Sequence, residues 1–379
     1  MQEDISNKST FHLFKLKNYW RNIDKQILLS FFFLFILGLF FSFSSTSFLA
    51  DERLDKEYYF FFQKHLLYTL LSFSVMVFIS VINTELLNKT LIPIFLIFFF
   101  TLILVPIIGI EVKGAKRWLS LFGFNFQPVE LIKPFFILIV AQIISFSWIK
   151  NVNLSYLISF ILLSTIVLFL VGQPDLGQSI LLIFSWTSLI FISGVNIYFL
   201  ILLLIFVIFL FFSLLYIAPE KFNYIISRLT SFMDPNKSDS FQSQKAIEAI
   251  RQGGLKGQGM GEGILKESVP EAHTDYIIAV ISEEFGSIIS ILIVSIFIFI
   301  AFRIIKRVIN LPNNFYKLSL CGLTSLLIFQ TFIHVGVNAN LLPTTGMTLP
   351  FLSYGGSSLL SSGILAGIIL NYTSLEVKN

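Results

Sequence analysis

The chain has 379 residues, 55% of them hydrophobic and 13% charged, with a mean hydropathy of +0.84. Soluble domains carry about 25% charged residues, so a soluble fold is excluded. The formal net charge of +4 lies in short basic blocks at the ends of apolar runs, which sets membrane topology and makes no nucleic-acid surface.

Apolar runs of 18 or more residues recur from Ile27 to Tyr372, the pattern of a helical protein that crosses the membrane many times. The expected fold class is all-α integral membrane, with about ten transmembrane helices and a long periplasmic loop between spans seven and eight. The spans fall at 27–49, 66–84, 91–110, 131–149, 153–171, 177–194, 196–217, 276–302, 316–338 and 355–373. The first run is too long for the apolar part of a cleavable leader and lacks a small-residue cleavage site, so it reads as a retained span. Lys8, Lys15, Lys17, Arg21 and Lys25 make the tail 1–26 basic; Arg303, Lys306, Arg307 and Lys317 do the same for the link between spans eight and nine. Short basic segments stay cytoplasmic, and an even number of spans separates these two. The domain reading is a cytoplasmic tail 1–26, a polytopic membrane domain 27–373 and a cytoplasmic tail 374–379. The outer links are 50–65, 111–130, 172–176, 218–275 and 339–354.

Within the longest link, Phe222, Ile225, Ile226, Leu229 and Phe232 share one face of a helix over 219–233, with Lys221 and Arg228 elsewhere on it. That pattern suits a helix lying in the membrane interface. A second, more polar helix is expected from Ser240 to Gln252. The run Gly253 to Gly263 reads as a flexible loop, and it is no nucleotide loop because no Gly-Lys-Ser/Thr follows.

Residues able to carry chemistry collect on the outer side. Lys113, Lys116 and Arg117 put cations there against the topological bias, and cations stabilise phosphate oxyanions. Glu130 and Lys133 share a helix face at the head of span four; charges at a span edge face a cavity or each other. Asp175 breaks the chain before span six, where an N-cap competes with a functional role. Asp275, after Pro270-Glu-Ala-His-Thr, faces the same ambiguity at the start of span eight, and Glu283 and Glu284 follow it. The stretch from His334 to Ser358 carries two prolines and the hydroxyls Thr344, Thr345, Ser353, Ser357 and Ser358. Backbone that leaves the helix near membrane depth must be buried in protein or line a wet cavity. His12, His65, His273 and His334 lack zinc spacing, the single Cys321 excludes a cysteine cluster, and no nucleophile elbow is present. These residues point to a phosphate-bearing, hydroxyl-rich, lipid-linked substrate at the outer leaflet. They do not separate moving it from reacting it.

In combination, Lys-Gly-Ala-Lys-Arg-Trp118, Gln-Pro-Val-Glu130, Gln-Pro-Asp-Leu-Gly177, Glu-Ala-His-Thr-Asp-Tyr276, Glu-Glu-Phe-Gly286 and Leu-Pro-Thr-Thr-Gly346 with Ser-Tyr-Gly-Gly-Ser-Ser358 resemble the SEDS family (shape, elongation, division and sporulation proteins). The match runs from the first span to Tyr372, and the stretch His334 to Phe351 resembles the division-type branch more than the elongation-type, RodA-like one. Val129 stands where the family commonly has Ser, Tyr276 where it has Phe, and Thr345 where division-type members often carry Lys.

The resemblance implies an inverting peptidoglycan glycosyltransferase. The 4-hydroxyl of the GlcNAc on an incoming lipid II attacks C1 of the MurNAc at the reducing end of the growing strand, and undecaprenyl pyrophosphate leaves. It makes Asp275 the general base. Lys116, Arg117 and Lys133 would stabilise the pyrophosphate, and Glu130, Asp175 and His273 join the substrate-binding set. Glu130 and Asp175 are also the candidates to hold a divalent cation, Mg²⁺ or Mn²⁺; no organic cofactor is implied. Implied partners are lipid II, the nascent glycan strand, a class B penicillin-binding transpeptidase, other division-complex membrane proteins and the lipid bilayer, with no nucleic acid. The implied place is the bacterial inner membrane at the division septum, with the active site periplasmic. The alternatives are a lipid II flippase and an elongation-type polymerase.

Overall fold

The computed structural model describes residues 22–54, 59–112, 114–121, 123–145, 152–198, 201–202, 205, 219–233, 241–265, 269 and 271–375. In chain order it contains α1 (Lys25–Leu54), α2 (Phe60–Val81), α3 (Thr84–Ile108), β1 (Ile110–Val112), β2 (Ala115–Leu121), β3 (Phe124–Phe126), α4 (Pro128–Ser145), α5 (Val152–Gly172) and α6 (Leu176–Ile192). Then follow α7 (Pro219–Met233), α8 (Phe241–Gly253), α9 (Ile277–Phe285), α10 (Ser287–Val308), α11 (Asn314–Asn338) and α12 (Gly356–Thr373). Seven of these helices are long and apolar enough to cross a membrane. Helices also stand at the expected sixth and tenth spans. The expected seventh span, 196–217, lies largely outside the described residues, as do Lys113, Pro270 and the N-terminal lysines through Arg21.

Local chemistry starts several helices. Asn83 caps α3 by accepting from Glu85 N–H at 3.0 Å, and Asn313 caps α11 by accepting from Phe315 N–H at 2.8 Å. In the core, α4 is buried nearly all round while α2, α3 and α5 keep an exposed apolar face, as expected of a central helix ringed by lipid-facing ones. The α2–α12 contact relies on small residues: a Cβ on Gly363 would stand 2.4 Å from Ser72 O, and one on Gly367 2.8 Å from Met76 O. Such spacing lets backbones approach closely where lipid removes the usual apolar driving force.

Polar side chains form two layers at opposite ends of the helices. At one end Asp24, 2% exposed, accepts from Arg303 at 2.7 Å and from Arg307 at 3.1 Å, tying the start of α1 to the end of α10. Nearby in topology, Asn371 donates to Ile79 O at 2.8 Å and accepts from Thr84 at 2.9 Å. The other layer holds the candidate site.

Three expectations need correction. The link 111–130 is an antiparallel three-stranded meander in the order β1-β2-β3, a small addition to an otherwise helical protein. Span eight is broken: α9 ends at Phe285, Gly286 takes φ +86°, and α10 restarts at Ser287. The glycine run is a tightly packed clasp on that break rather than a loose loop. Gln258 N–H and Gly259 N–H donate to Glu283 O and Glu284 O at 2.9 and 3.0 Å. A Cβ on Gly257 would lie 2.3 Å from Glu284 O, and one on Gly286 2.2 Å from Leu255 O. Glu283 serves this clasp by accepting from Leu265 N–H at 2.7 Å, while Glu284 ties α9 to α1 by accepting from the Ser44 hydroxyl.

Candidate active site

Strand alternation decides which of the meander cations enters the site. Successive side chains point to opposite faces, so Lys116 and Arg117 diverge. Lys116 is exposed and sits opposite Glu111 in the register, which corrects its expected place in the site. Arg117 turns inward and donates from Nε to Gln173 O at 3.0 Å and from Nη2 to Pro174 O. That anchors it beside Asp175, the N-cap of α6, which accepts from Gln178 N–H at 3.3 Å and from Gln127 Nε2 at 2.7 Å. Burial pushes the Asp175 carboxyl above its ordinary value, and the Arg117 charge pulls it back.

On α4, Lys133 is 1% exposed and Glu130 3%. Their ion pair is 2.8 Å long. Lys133 also donates to Gln330 Oε1 on α11 at 3.3 Å, and Glu130 accepts from Gln178 Nε2 on α6 at 2.5 Å. Gln330 in turn donates to Thr348 O at 3.0 Å. One lysine therefore joins α4, α6, α11 and the 339–354 segment.

Asp275 is half-buried and is not the cap of its helix. Tyr276 occupies that position with no side-chain cap bond. Asn338 holds the segment: its Nδ2 donates to Asp275 O at 3.0 Å and to His334 O at 2.8 Å, and its Oδ1 accepts from Ala279 N–H at 3.1 Å. The carboxylate faces Gly346, where a Cβ would stand 3.6 Å from Oδ2. Gly346 has φ +69°, a conformation only glycine adopts without cost, and it sets bare backbone beside the Asp275 carboxylate. The neighbouring Thr345 packs on Gly177 at the start of α6. Residues 345 and 346 thus span from the Asp175 side of the site to Asp275. His273 joins through its backbone, its C=O accepting from Tyr354 N–H at 2.9 Å.

Sequence reasoning missed Arg228. It is on α7, and its guanidinium is held below its ordinary value first by burial and then by Arg117, while Asp175, Tyr224 and Asp275 oppose the shift. Its Nη1 is buried without a hydrogen-bond partner among the described residues. Tyr224, one turn earlier, donates to Val171 O at 3.2 Å and fixes α7 over the site. Arg228 therefore lies within electrostatic reach of both acidic groups. The available signal was a cation off the apolar face of an interfacial helix, which reads as solvated until the helix is placed.

The divalent-cation expectation meets a poor donor set. Glu130 is committed to Lys133 and Gln178, and Asp175 to Gln127 and the cap of α6. Among the described residues no group of three or more His, Cys, Asp or Glu side chains lies together as metal ligands would.

Taken together, this end of the molecule sets the half-buried Asp275 carboxylate beside the bare backbone of Gly346, with the buried Lys133 and the half-buried Arg117 and Arg228 in strongly polar company. A family model described as Cell cycle protein, for FtsW, RodA and SpoVE, matches residues 25–377. The chain belongs to this family. The protein named "Probable peptidoglycan glycosyltransferase FtsW" of Caulobacter vibrioides is 32% identical over 364 residues, covering 93% of this chain and 89% of that one. Its namesake in Pasteurella multocida is 33% identical, covering 92% and 89%. Among solved structures, a chain from work on the structural coordination of polymerization and crosslinking by a peptidoglycan synthase complex matches at a TM-score of 0.75 and 22% identity, covering 93% of this chain and 97% of that one. The rod shape determining protein RodA of Thermus thermophilus matches at a TM-score of 0.64 and 22% identity. These bear out the expected family and the multi-pass helical membrane fold.

Proposed function

We propose that this protein polymerises peptidoglycan glycan strands from lipid II at the outer face of the cytoplasmic membrane, in septal wall synthesis. The observation that carries the reading is Asp275: a half-buried carboxylate that is not the cap of its helix, its backbone held by Asn338 and its Oδ2 facing the bare backbone of Gly346. Its Oδ atoms accept the proton from the acceptor 4-hydroxyl as that oxygen bonds to C1 of the donor MurNAc. The C1–O bond to pyrophosphate breaks on the opposite face, and the anomeric centre inverts. The leaving group carries its charge already, so it needs cations more than a proton. Arg117, Lys133 and Arg228 supply them in a preorganised low-dielectric setting.

The relatives' names support the glycosyltransferase and the division role. The solved synthase complex, which couples polymerization and crosslinking, supports a crosslinking partner, and the family resemblance makes that partner a class B penicillin-binding transpeptidase. The basic cytoplasmic blocks support a periplasmic site. Glu130 and Asp175 act by orienting the cations, and no step runs through a metal.

The test uses purified full-length protein with labelled lipid II in detergent. The wild type should form polymer without a second compartment. Asp275→Asn should lose about 10²–10⁴ in rate at normal abundance. Polymerisation by Asp275→Asn within about threefold of wild type would sink the assignment, and no polymer from the wild type would favour transport.

A further inference from the structure

Next to Asp275, rings from distant parts of the chain converge, and the reaction scheme above leaves them without a task. Phe61, at the start of α2, lies 5.5 Å from the His273 ring and 5.8 Å from Tyr354, edge-on to the latter. His273 and Tyr354 are 5.6 Å apart, and His65 stacks on Tyr354 at 6.0 Å with 28° between planes. Phe61, His273 and Tyr354 are half-buried, so the cluster presents ring surface. His65 is 0% exposed, and neither of its ring nitrogens has a hydrogen-bond partner among the described residues. A buried polar ring in that condition costs stability, and an apolar side chain would pack there more favourably. A polar group of a bound ligand entering between the rings supplies the missing partner.

The cluster is wired to the catalytic segment. Tyr354 N–H donates to His273 O at 2.9 Å, and the Ser353 hydroxyl donates to Thr274 O at 2.6 Å. In order along the 339–354 segment, Thr345 touches the start of α6, Gly346 faces Asp275, and Ser353 binds residue 274. A pyranose turns a face of C–H bonds outward, and an aromatic ring offers a face of negative charge. Stacking of one on the other orients the sugar while its hydroxyls stay free at the edge.

We infer that Phe61, His273 and Tyr354, backed by His65, form the subsite that stacks on the acceptor N-acetylhexosamine and presents its hydroxyl to Asp275. This rests on the polymerase reading. The probe is a lipid-free methyl glycoside of the GlcNAc–MurNAc disaccharide, which lacks pyrophosphate and so cannot react as donor. With full-length protein in micelles, saturating the aromatic protons should transfer magnetisation to the sugar ring C–H protons. Phe61→Leu and Tyr354→Leu should lose that transfer, and Tyr354→Phe should keep it. In turnover, Phe61→Leu should raise the half-saturating lipid II concentration about three- to tenfold, the span of an aromatic stacking contact, with little change in the saturated rate. If Tyr354→Leu fails to fold, Phe61→Leu carries the test, since Phe61 is half-exposed at a helix start. Polymer formation with unchanged half-saturation and unchanged transfer in Phe61→Leu overturns the subsite and leaves the polymerase standing. Transfer that is lost in Phe61→Leu, from a wild type that makes no polymer, keeps the sugar subsite and sinks the polymerase.

Discussion

Lys133 can serve either as the structural partner of Glu130 or as a counter-charge for pyrophosphate, and a pair of substitutions separates the two. Lys133→Met removes a cation that is 1% exposed and 2.8 Å from Glu130. The carboxylate is then buried with Gln178 as its one side-chain donor among the described residues. Breaking a buried pair from one side costs about 3–5 kcal/mol, whereas replacing both partners is near neutral. The single variant should therefore unfold at markedly lower temperature in detergent, and Glu130→Gln added to Lys133→Met should restore most of the loss. Activity should not follow. If Lys133 meets the leaving group, the double variant stays about 10²–10³ below wild type, the usual cost of one electrostatic donor. The assay is thermal unfolding alongside lipid II polymerisation on the same samples. A stable double variant that polymerises at the wild-type rate refutes the reasoning and leaves the pair as architecture.

Arg228→Gln should fall in rate by about 10²–10³ with unchanged abundance, checked by polymerisation at saturating lipid II; an unchanged rate removes it from the site. The Asp24 clasp predicts a pH dependence. Burial works to raise that carboxyl, but hydrogen bonds from Arg307, Ile27 N–H and Arg303 win and hold it below its ordinary value. A depressed carboxylate contributes stability that is present above its unfolded value and lost as pH falls through the folded one. Melting curves from pH 6 to pH 3 should therefore converge for wild type and Asp24→Asn only at the acid end. For topology, a cysteine introduced at the exposed Gly261 should react with an impermeant thiol reagent from outside intact cells; labelling only after lysis would reverse the orientation.

The span pattern was legible because hydrocarbon imposes one solution on the backbone, an apolar helix of fixed length. Glu130, Lys133 and Asp175 were legible for the same reason: charge at a span edge is costly enough to stand out. What escaped was anything set by tertiary placement. Lys116 and Arg117 are adjacent cations in sequence, and only the strand turns one inward and the other out. Gly253 to Gly263 has the composition of a loose loop, and only the opposing backbone of α9 explains why Gly253 and Gly257 carry no side chain. Arg228 and Asn338 lie in segments the sequence does mark, but their roles depend on what they overlie. The Gly363 and Gly367 pair was a readable sign of close helix contact that the chemistry-led reading passed over.

The clasp of glycines on the broken span also determines where foreign sequence can be grafted. At Gly253 and Gly257 the backbone rests against Ser282 and Glu284 with no room for a methyl group at either position. At Gly261, a few residues on, a Cβ would meet nothing within 4 Å. An epitope or fluorophore placed at 261 hangs free of the molecule, whereas the same insertion at 255 levers apart the two halves of the span that begins with Asp275. A reporter's position, more than its size, therefore decides whether imaging follows a working molecule or a disabled one.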